Sequence, residues 1–286
     1  MLTLVGTYPP IRCGIATFNR DLREALLREG VPSQVAVVAH PEEVALPFPQ
    51  EVVRVVARED REGYRALARL LRGPVILQHE YGLYGGKWGD YVLDLLEAQG
   101  PKLVVLHTLL QAPPPGLGEA DLRYMQGLLR AMAERAQAFV ALHPEGEGLL
   151  RALGVRIPVA HIPHGVPDLP RPPKEALKRA LGLEGAFLLF TYGLLGPGKG
   201  LEFALKVLAR VLPHNPRVRY LVAGRLHPNL ERHEGRRYLE RVREMAEALA
   251  LLTDRARKRE AGSWFGSLHG ILNHLIITDI NWLKRY

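Results

Sequence analysis

The chain has 286 residues, 47% hydrophobic and 24% charged, a composition that excludes disorder as the main state and allows one large or two moderate domains. A single cysteine, Cys13, excludes an intramolecular disulfide framework and a cysteine-built zinc site, and makes a reducing cytoplasm the expected compartment. The net charge of +8 comes mainly from arginine, with a local basic run at Arg255, Arg257, Lys258 and Arg259, and suits anionic partners without choosing among nucleotide diphosphates, lipid surfaces and nucleic acid. Because the basic residues are not interleaved with aromatics, nucleic acid is not expected, and a solvated basic surface is the plainest reading. The N-terminal MLTLVGTYPP reads as a first strand and not as a signal peptide. No apolar run reaches the roughly 18 residues of a membrane span.

Along the chain, apolar strand-like runs alternate with amphipathic stretches. LTLVG precedes a helical pattern over 14–29; SQVAVVA and VVRVVA precede one over 61–71; PVILQH precedes one over 88–97. KLVVLH is followed by a helical pattern over 119–135, and AFVAL by one over 145–153. This order predicts an α/β fold with parallel, doubly wound sheets. PHGVPDLPRPPKEA, with prolines at 163, 167, 170, 172 and 173, cannot sustain a central strand or helix interior and reads as a connection. Alternation then restarts with AFLLFTY, a glycine loop, a helix over 201–212, the strand VRYLVAG and a helix over about 235–249. The expected organisation is a first Rossmann-like domain over 1–168, a proline-rich linker over 169–184, a partial second Rossmann-like domain over 185–250 and a divergent tail over 251–286.

The second unit reads as incomplete. A domain of this type needs on the order of 150 residues, and only about a hundred follow Gly185. Composition also changes near the end: four of nine isoleucines lie between Ile271 and Ile280, and two of three tryptophans are Trp264 and Trp282. The tail from about Leu251 is therefore expected to be foreign to the ancestral domain.

GLLGPGKG, from Gly193 to Gly200, has the composition of a phosphate cradle. Glycines let backbone N–H groups approach a ligand, the helix start adds partial positive charge, and Lys199 adds a full one. It nearly matches a nucleoside-triphosphatase P-loop, but Gly200 stands where a magnesium-ligating hydroxyl belongs. In the first domain Gly14 falls where a strand-to-helix turn brings a helix N-terminus to the sheet's carboxyl edge. A dinucleotide Gly-x-Gly-x-x-Gly is absent. Three other segments place polar residues at strand ends on that edge: Gln78, His79 and Glu80 with Gly82, Gly85 and Gly86; His107 and Thr108; and His161, His164 and Gly165. The histidines lack paired metal-ligand spacing, so no metal is expected, and no Gly-x-Ser-x-Gly elbow occurs.

The ordered segments YPPIRCGIATFNRDL, QHEYGLYGG, LHT, IPHGV, YGLLGPGKGLEF and LVAGRLHPNLERHEGRRY resemble retaining glycosyltransferases of the GT-B fold, family four, over roughly 2–248. The resemblance implies two Rossmann-like domains, the C-terminal one holding a nucleotide-sugar donor and the N-terminal one a carbohydrate or glycolipid acceptor. It further implies that Lys199 pairs with the donor diphosphate, that Gly193, Gly196 and Gly224 shape the backbone around it, and that Gly14 and Arg12 contribute from the first domain. His107 corresponds to the family's strand-end histidine near the transferring sugar, so His107 and Lys199 are the candidate catalytic residues. His79 and Glu80 are candidates for acceptor contact. The donor is a substrate, no cofactor is implied, and a cytoplasmic enzyme with peripheral membrane contact is the expected setting.

The chain also departs from the family. The usual arginine between the loop's first glycine and its lysine is missing, leaving Arg225 or Arg12 to supply it, and no pair of glutamates eight positions apart follows Tyr220. Impaired activity is therefore expected, and a non-catalytic carbohydrate- or partner-binding fragment and a P-loop NTPase stay open as alternatives.

Overall fold

A computed structural model describes residues 1–114, 116–166, 169–260 and 277–278. The chain divides into two units, Met1–Pro167 and Asp168–Tyr286. The first contains β1 (Leu2–Gly6), α1 (Gly14–Arg28), β2 (Ser33–Ala39), β3 (Val52–Ala57), α2 (Arg61–Leu70), β4 (Val75–His79) and α3 (Val92–Leu95). It continues with β5 (Lys102–Leu106), α4 (Glu119–Ala133), β6 (Ala138–Ala141), α5 (Gly146–Ala152) and β7 (Val159–His161). Its strands form one parallel sheet in the order β3-β2-β1-β4-β5-β6-β7. The α/β class and the doubly wound sheet expected from the alternation are the ones observed.

Neighbouring residues along one strand enter different cores, which is why these strands read as unbroken apolar runs. Val5, Ala36 and Val38 pack with Leu77, Val104, Leu128 and Phe139. Leu4, Val35 and Val37 pack with Tyr8, Ile11 and Ala16. The sheet is thus buried on both faces, and its carboxyl edge is left as the place where polar side chains gather.

The helix expected over 88–97 is mostly absent. Trp88 (φ 55) and Gly89 (φ 88) take left-handed backbone angles after Gly86 (φ 80), which breaks any helix started there. A single 3-10 turn over Lys87–Gly89 is followed by the four-residue α3. The Trp88 indole N–H donates to Asp121 Oδ1 at 3.2 Å, tying this loop to the start of α4.

The second unit contains α6 (Lys174–Ala180), β8 (Phe187–Leu195), α7 (Leu201–Val211), β9 (Val218–Leu226), α8 (Pro228–Glu234), α9 (Arg237–Glu260) and β10 (Ile277–Thr278). The strands pair in parallel in the order β10-β9-β8. The segment 169–184, read as linker, carries the short helix α6, with Pro173 as its N-cap residue. Gly193 to Leu195, read as loop, belong to β8, and α9 runs past the expected end to Glu260.

One face of the second sheet packs on α7 and α9 through Leu195, Leu201, Leu205, Tyr220, Val222, Tyr238 and Val242. On the other face Phe190 and Tyr192 stack at 5.5 Å while remaining 54% and 70% exposed. Among the described residues no helix is long and apolar enough to cross a membrane.

Candidate functional site

In the first unit the strand order reverses between β1 and β4, the point where open α/β sheets bind ligands beyond the carboxyl ends. Cys13 caps α1 there: its Sγ accepts from the Ala16 N–H at 3.3 Å and lies 3.0 Å from Thr7 Oγ1. Gly14 and Arg12 are exposed, and a Cβ on Gly14 would meet nothing within 4 Å. Gly14 is therefore not required by crowding within this unit, and the exposed first turn carries the partial positive charge of a helix start.

His107 follows β5, its backbone N–H bonded to the carbonyl of His79 at 3.0 Å. Its Nε2 lies 2.9 Å from Gln78 Oε1. Gln78 in turn donates from Nε2 to Asn19 Oδ1 at 3.3 Å, and Asn19 Nδ2 donates to the Thr7 carbonyl at 3.2 Å. Phe18 meets the His107 ring edge to face at 4.9 Å and the His164 ring at 5.5 Å, and the two imidazole centroids are 6.0 Å apart. Burial, with a smaller contribution from His164, lowers the His107 pKa to about 4. The imidazole is therefore neutral near pH 7.

His79 is fully buried, and neither ring nitrogen has a hydrogen-bond partner among the described residues. Burial, helped by His107, holds its pKa down at about 3. It packs edge to face on Tyr81 at 5.1 Å. A ring with no route to solvent does not meet an acceptor directly, so the structure places His79 beneath the edge and Glu80 at it.

Glu80 accepts from the Thr108 hydroxyl at 2.6 Å and from the Tyr81 backbone N–H at 2.9 Å. Burial raises its pKa, and these two hydrogen bonds partly counter the rise. A cavity of about 400 Å³ lies beside this group, lined by His107, Thr108, Gln111, His143, Glu145 and His164 among others. Gly146 at the start of α5 lets that helix close on the cavity, since a Cβ there would overlap the Ala141 side chain and lie 3.1 Å from Leu109.

Of the strand-end residues named from sequence, Gln78, His107, Thr108, Glu80 and His164 come together. His161 is exposed at the end of β7 and joins no ring contact. Sequence reasoning missed Asn19, Phe18, His143 and Glu145. His143 carried a usable signal, because it lies two residues past the end of β6, close to the edge where His107 directly follows β5. Asn19 and Phe18 carried none, being ordinary positions in a helical pattern.

In the second unit Gly193 (φ 111) and Gly224 (φ 148) are register partners of β8 and β9. A side chain on Gly224 would overlap the Gly193 carbonyl, and one on Gly193 would lie 3.4 Å from the Lys199 Nζ. The Lys199 side chain thus folds back beside Gly193. The 3-10 turn Pro197–Lys199 closes through Lys199 N–H to Gly196 O at 2.9 Å and Gly200 N–H to Pro197 O at 3.0 Å. Gly200 (φ 65) then starts α7, a left-handed position that suits glycine better than the Ser or Thr of a P-loop. Lys199 is exposed and forms no ion pair among the described residues. Gly196 is buried in extended backbone near Leu230 and His227.

The arrangement offers a fixed cation on a glycine turn in one unit, and in the other a neutral imidazole and a shielded carboxylate beside a cavity. Among the described residues no group of three or more His, Cys, Asp or Glu could hold a metal ion.

No family model matches the chain, and no curated protein matches it by sequence. Solved structures do. HepE (Alr3699) of Anabaena in complex with UDP is 16% identical with a TM-score of 0.59, and its complex with UDP and glucose is 14% identical with a TM-score of 0.61. Each match covers 87% of this chain and 66% of HepE, so the chain spans just under two thirds of that relative's length. The trehalose-6-phosphate synthase OtsA is 14% identical with a TM-score of 0.55, over 92% of this chain and 72% of OtsA. Identities this low show the fold alone, and the fold is α/β with two Rossmann-like units of the GT-B type, three described strands in the second against seven in the first.

Proposed function

We propose that this chain is a glycosyltransferase that takes a sugar from a nucleotide-sugar donor to a carbohydrate or glycolipid acceptor with retention. The observation that carries the reading is Lys199, an exposed cation on the turn that starts α7, its ammonium beside Gly193, which faces Gly224 across β8 and β9, in a fold shared with a UDP-bound protein. As the glycosidic bond breaks, negative charge grows on the leaving diphosphate, and a positioned ammonium with nearby backbone N–H groups stabilises it. Lys199 is assigned that role, with Gly193, Gly196 and Gly224 shaping the turn. Gly14 and Arg12 offer a further anion-attracting terminus in the first unit. His107 and Glu80 are assigned to the sugar-bearing side, next to the cavity of the first unit, and His79 supports them from below. A cytoplasmic protein touching membranes peripherally fits a glycolipid acceptor and the basic surface.

Incubation with a panel of nucleotide sugars, with release of nucleoside diphosphate as readout, tests the reading. Release from at least one donor, and an anomeric configuration in the product equal to the donor's, is the expected result. Absence of both diphosphate binding and turnover across the panel would overturn it. Magnesium-dependent hydrolysis of ATP would point to an NTPase instead.

A further inference from the structure

Four groups in the first unit form a hydrogen-bonded line whose direction can be read without ambiguity. It begins at the Thr7 carbonyl, an atom that only accepts, which receives a hydrogen bond from Asn19 Nδ2 at 3.2 Å. The Asn19 amide is thereby oriented, its Oδ1 turned to accept from Gln78 Nε2 at 3.3 Å. Gln78 Oε1 is then the atom 2.9 Å from His107 Nε2. An amide oxygen only accepts, so Nε2 carries the proton; a neutral imidazole has one ring N–H, so Nδ1 carries the lone pair.

We infer that Gln78, oriented by Asn19, is a positioning residue that holds His107 in its Nε2–H tautomer and so presents Nδ1 to ligand as a hydrogen-bond acceptor. Asn19 and Gln78 are both fully buried, where an unsatisfied amide is costly and a satisfied one locks its own orientation. The surroundings fit the pair: a Cβ on Gly6 would approach Gln78 Cβ to 3.0 Å, and the fully buried Tyr84 donates its hydroxyl to the Gln78 carbonyl at 2.6 Å. The titratable groups facing His107 are His79 from β4 and His164 from the segment after β7. Glu80 is engaged by Thr108, and His143 and Glu145 line the same cavity.

The consequence is chemical selectivity at one atom. Nδ1 welcomes a donor, such as a sugar hydroxyl, and gains nothing from a diphosphate oxygen, which only accepts. The sugar part of this statement rests on the proposed glycosyltransferase reading; the tautomer does not.

Long-range proton–nitrogen NMR of the full chain at pH 7 tests it. The expected wild-type pattern for His107 is a protonated Nε2 and a bare Nδ1, and Gln78→Leu is expected to give a mixture of both tautomers. Gln78→Glu places a carboxylate on Nε2 and is expected to raise the His107 pKa by about one unit or more. An Nδ1–H signal in the wild type overturns the inference, as does an unaltered tautomer in a folded Gln78→Leu. Should Gln78→Leu fail to fold, the wild-type pattern and the Gln78→Glu titration decide alone, an unmoved titration counting against the inference. Where a donor turns over, Gln78→Leu is expected to lower kcat about tenfold, as misplacement of a reacting contact does, with donor KM little changed. A chain with no transferase activity but the expected NMR pattern overturns the functional reading and leaves the positioning role intact.

Discussion

Gly193 and Gly224 face each other across β8 and β9 with backbones so close that a side chain on Gly224 would overlap the Gly193 carbonyl, and the Lys199 ammonium lies beside Gly193. A glycine and a lysine of one sequence motif and a glycine of the next strand are therefore neighbours in one arrangement. Gly224→Ala is expected to push the strands apart at the cost of roughly 2–3 kcal/mol, the scale of a forced backbone outlier. Faster amide hydrogen exchange in β8 and β9, with the first unit unchanged, is the measurement; equal protection in mutant and wild type would refute the pinch.

Lys199→Ala leaves the glycine pair in place and removes the cation. Under the proposed chemistry the rate should fall on the order of 10²-fold, as for loss of one charge-stabilising donor. Lys199→Arg should recover part of it. Steady-state release of nucleoside diphosphate reads both, and unchanged turnover in the alanine variant takes Lys199 out of the mechanism.

How much of this was legible follows from which residues carried a signal. Val35 to Ala39 read as strand because both sheet faces are buried, so every residue of the run is apolar or small. Gly193 was visible as a glycine but not as a strand residue, because its pairing with Gly224 depends on two segments lying side by side. The break at Trp88 was hidden by Val92, Leu95 and Leu96, whose spacing is helical, while a left-handed tryptophan leaves no mark in a sequence. His107 could be picked from its place after an apolar run; Asn19 could not, since a buried and an exposed asparagine in a helix are written with the same letter.

Acid should weaken the first unit through its histidines. The His79 pKa is held at about 3 and that of His107 at about 4, so an unfolded chain takes up these protons below pH 6.5 while the folded one does not. Their contribution to stability is complete above pH 6.5 and is lost on the way down, to about pH 4 for His107 and about pH 3 for His79. The slope is at most about 1.4 kcal/mol per pH unit for each histidine, less for the partly exposed His107. Glu80, whose pKa is raised by burial, acts in the opposite sense and softens the decline. Urea midpoints at pH 7, 6, 5 and 4.5 should fall progressively, and His79→Gln should flatten the fall; a level profile would contradict the burial of these rings.

Thr108→Val should raise the Glu80 pKa further, because the hydroxyl that donates to its carboxylate is one of the two groups holding it down. Carbon-detected titration of the Glu80 carboxyl is the readout. A downward or absent movement would mean that solvent takes over the lost bond and that the carboxylate is not shielded.

Cys13 is the only cysteine of the chain, and its sulfur is already engaged as the cap of α1 beside Thr7. Any thiol-directed probe therefore marks one address, the mouth of the carboxyl edge, without mutagenesis. Its rate of alkylation becomes a footprint: a ligand seated on the first turn of α1 protects it, and a ligand confined to the second unit leaves it as reactive as before.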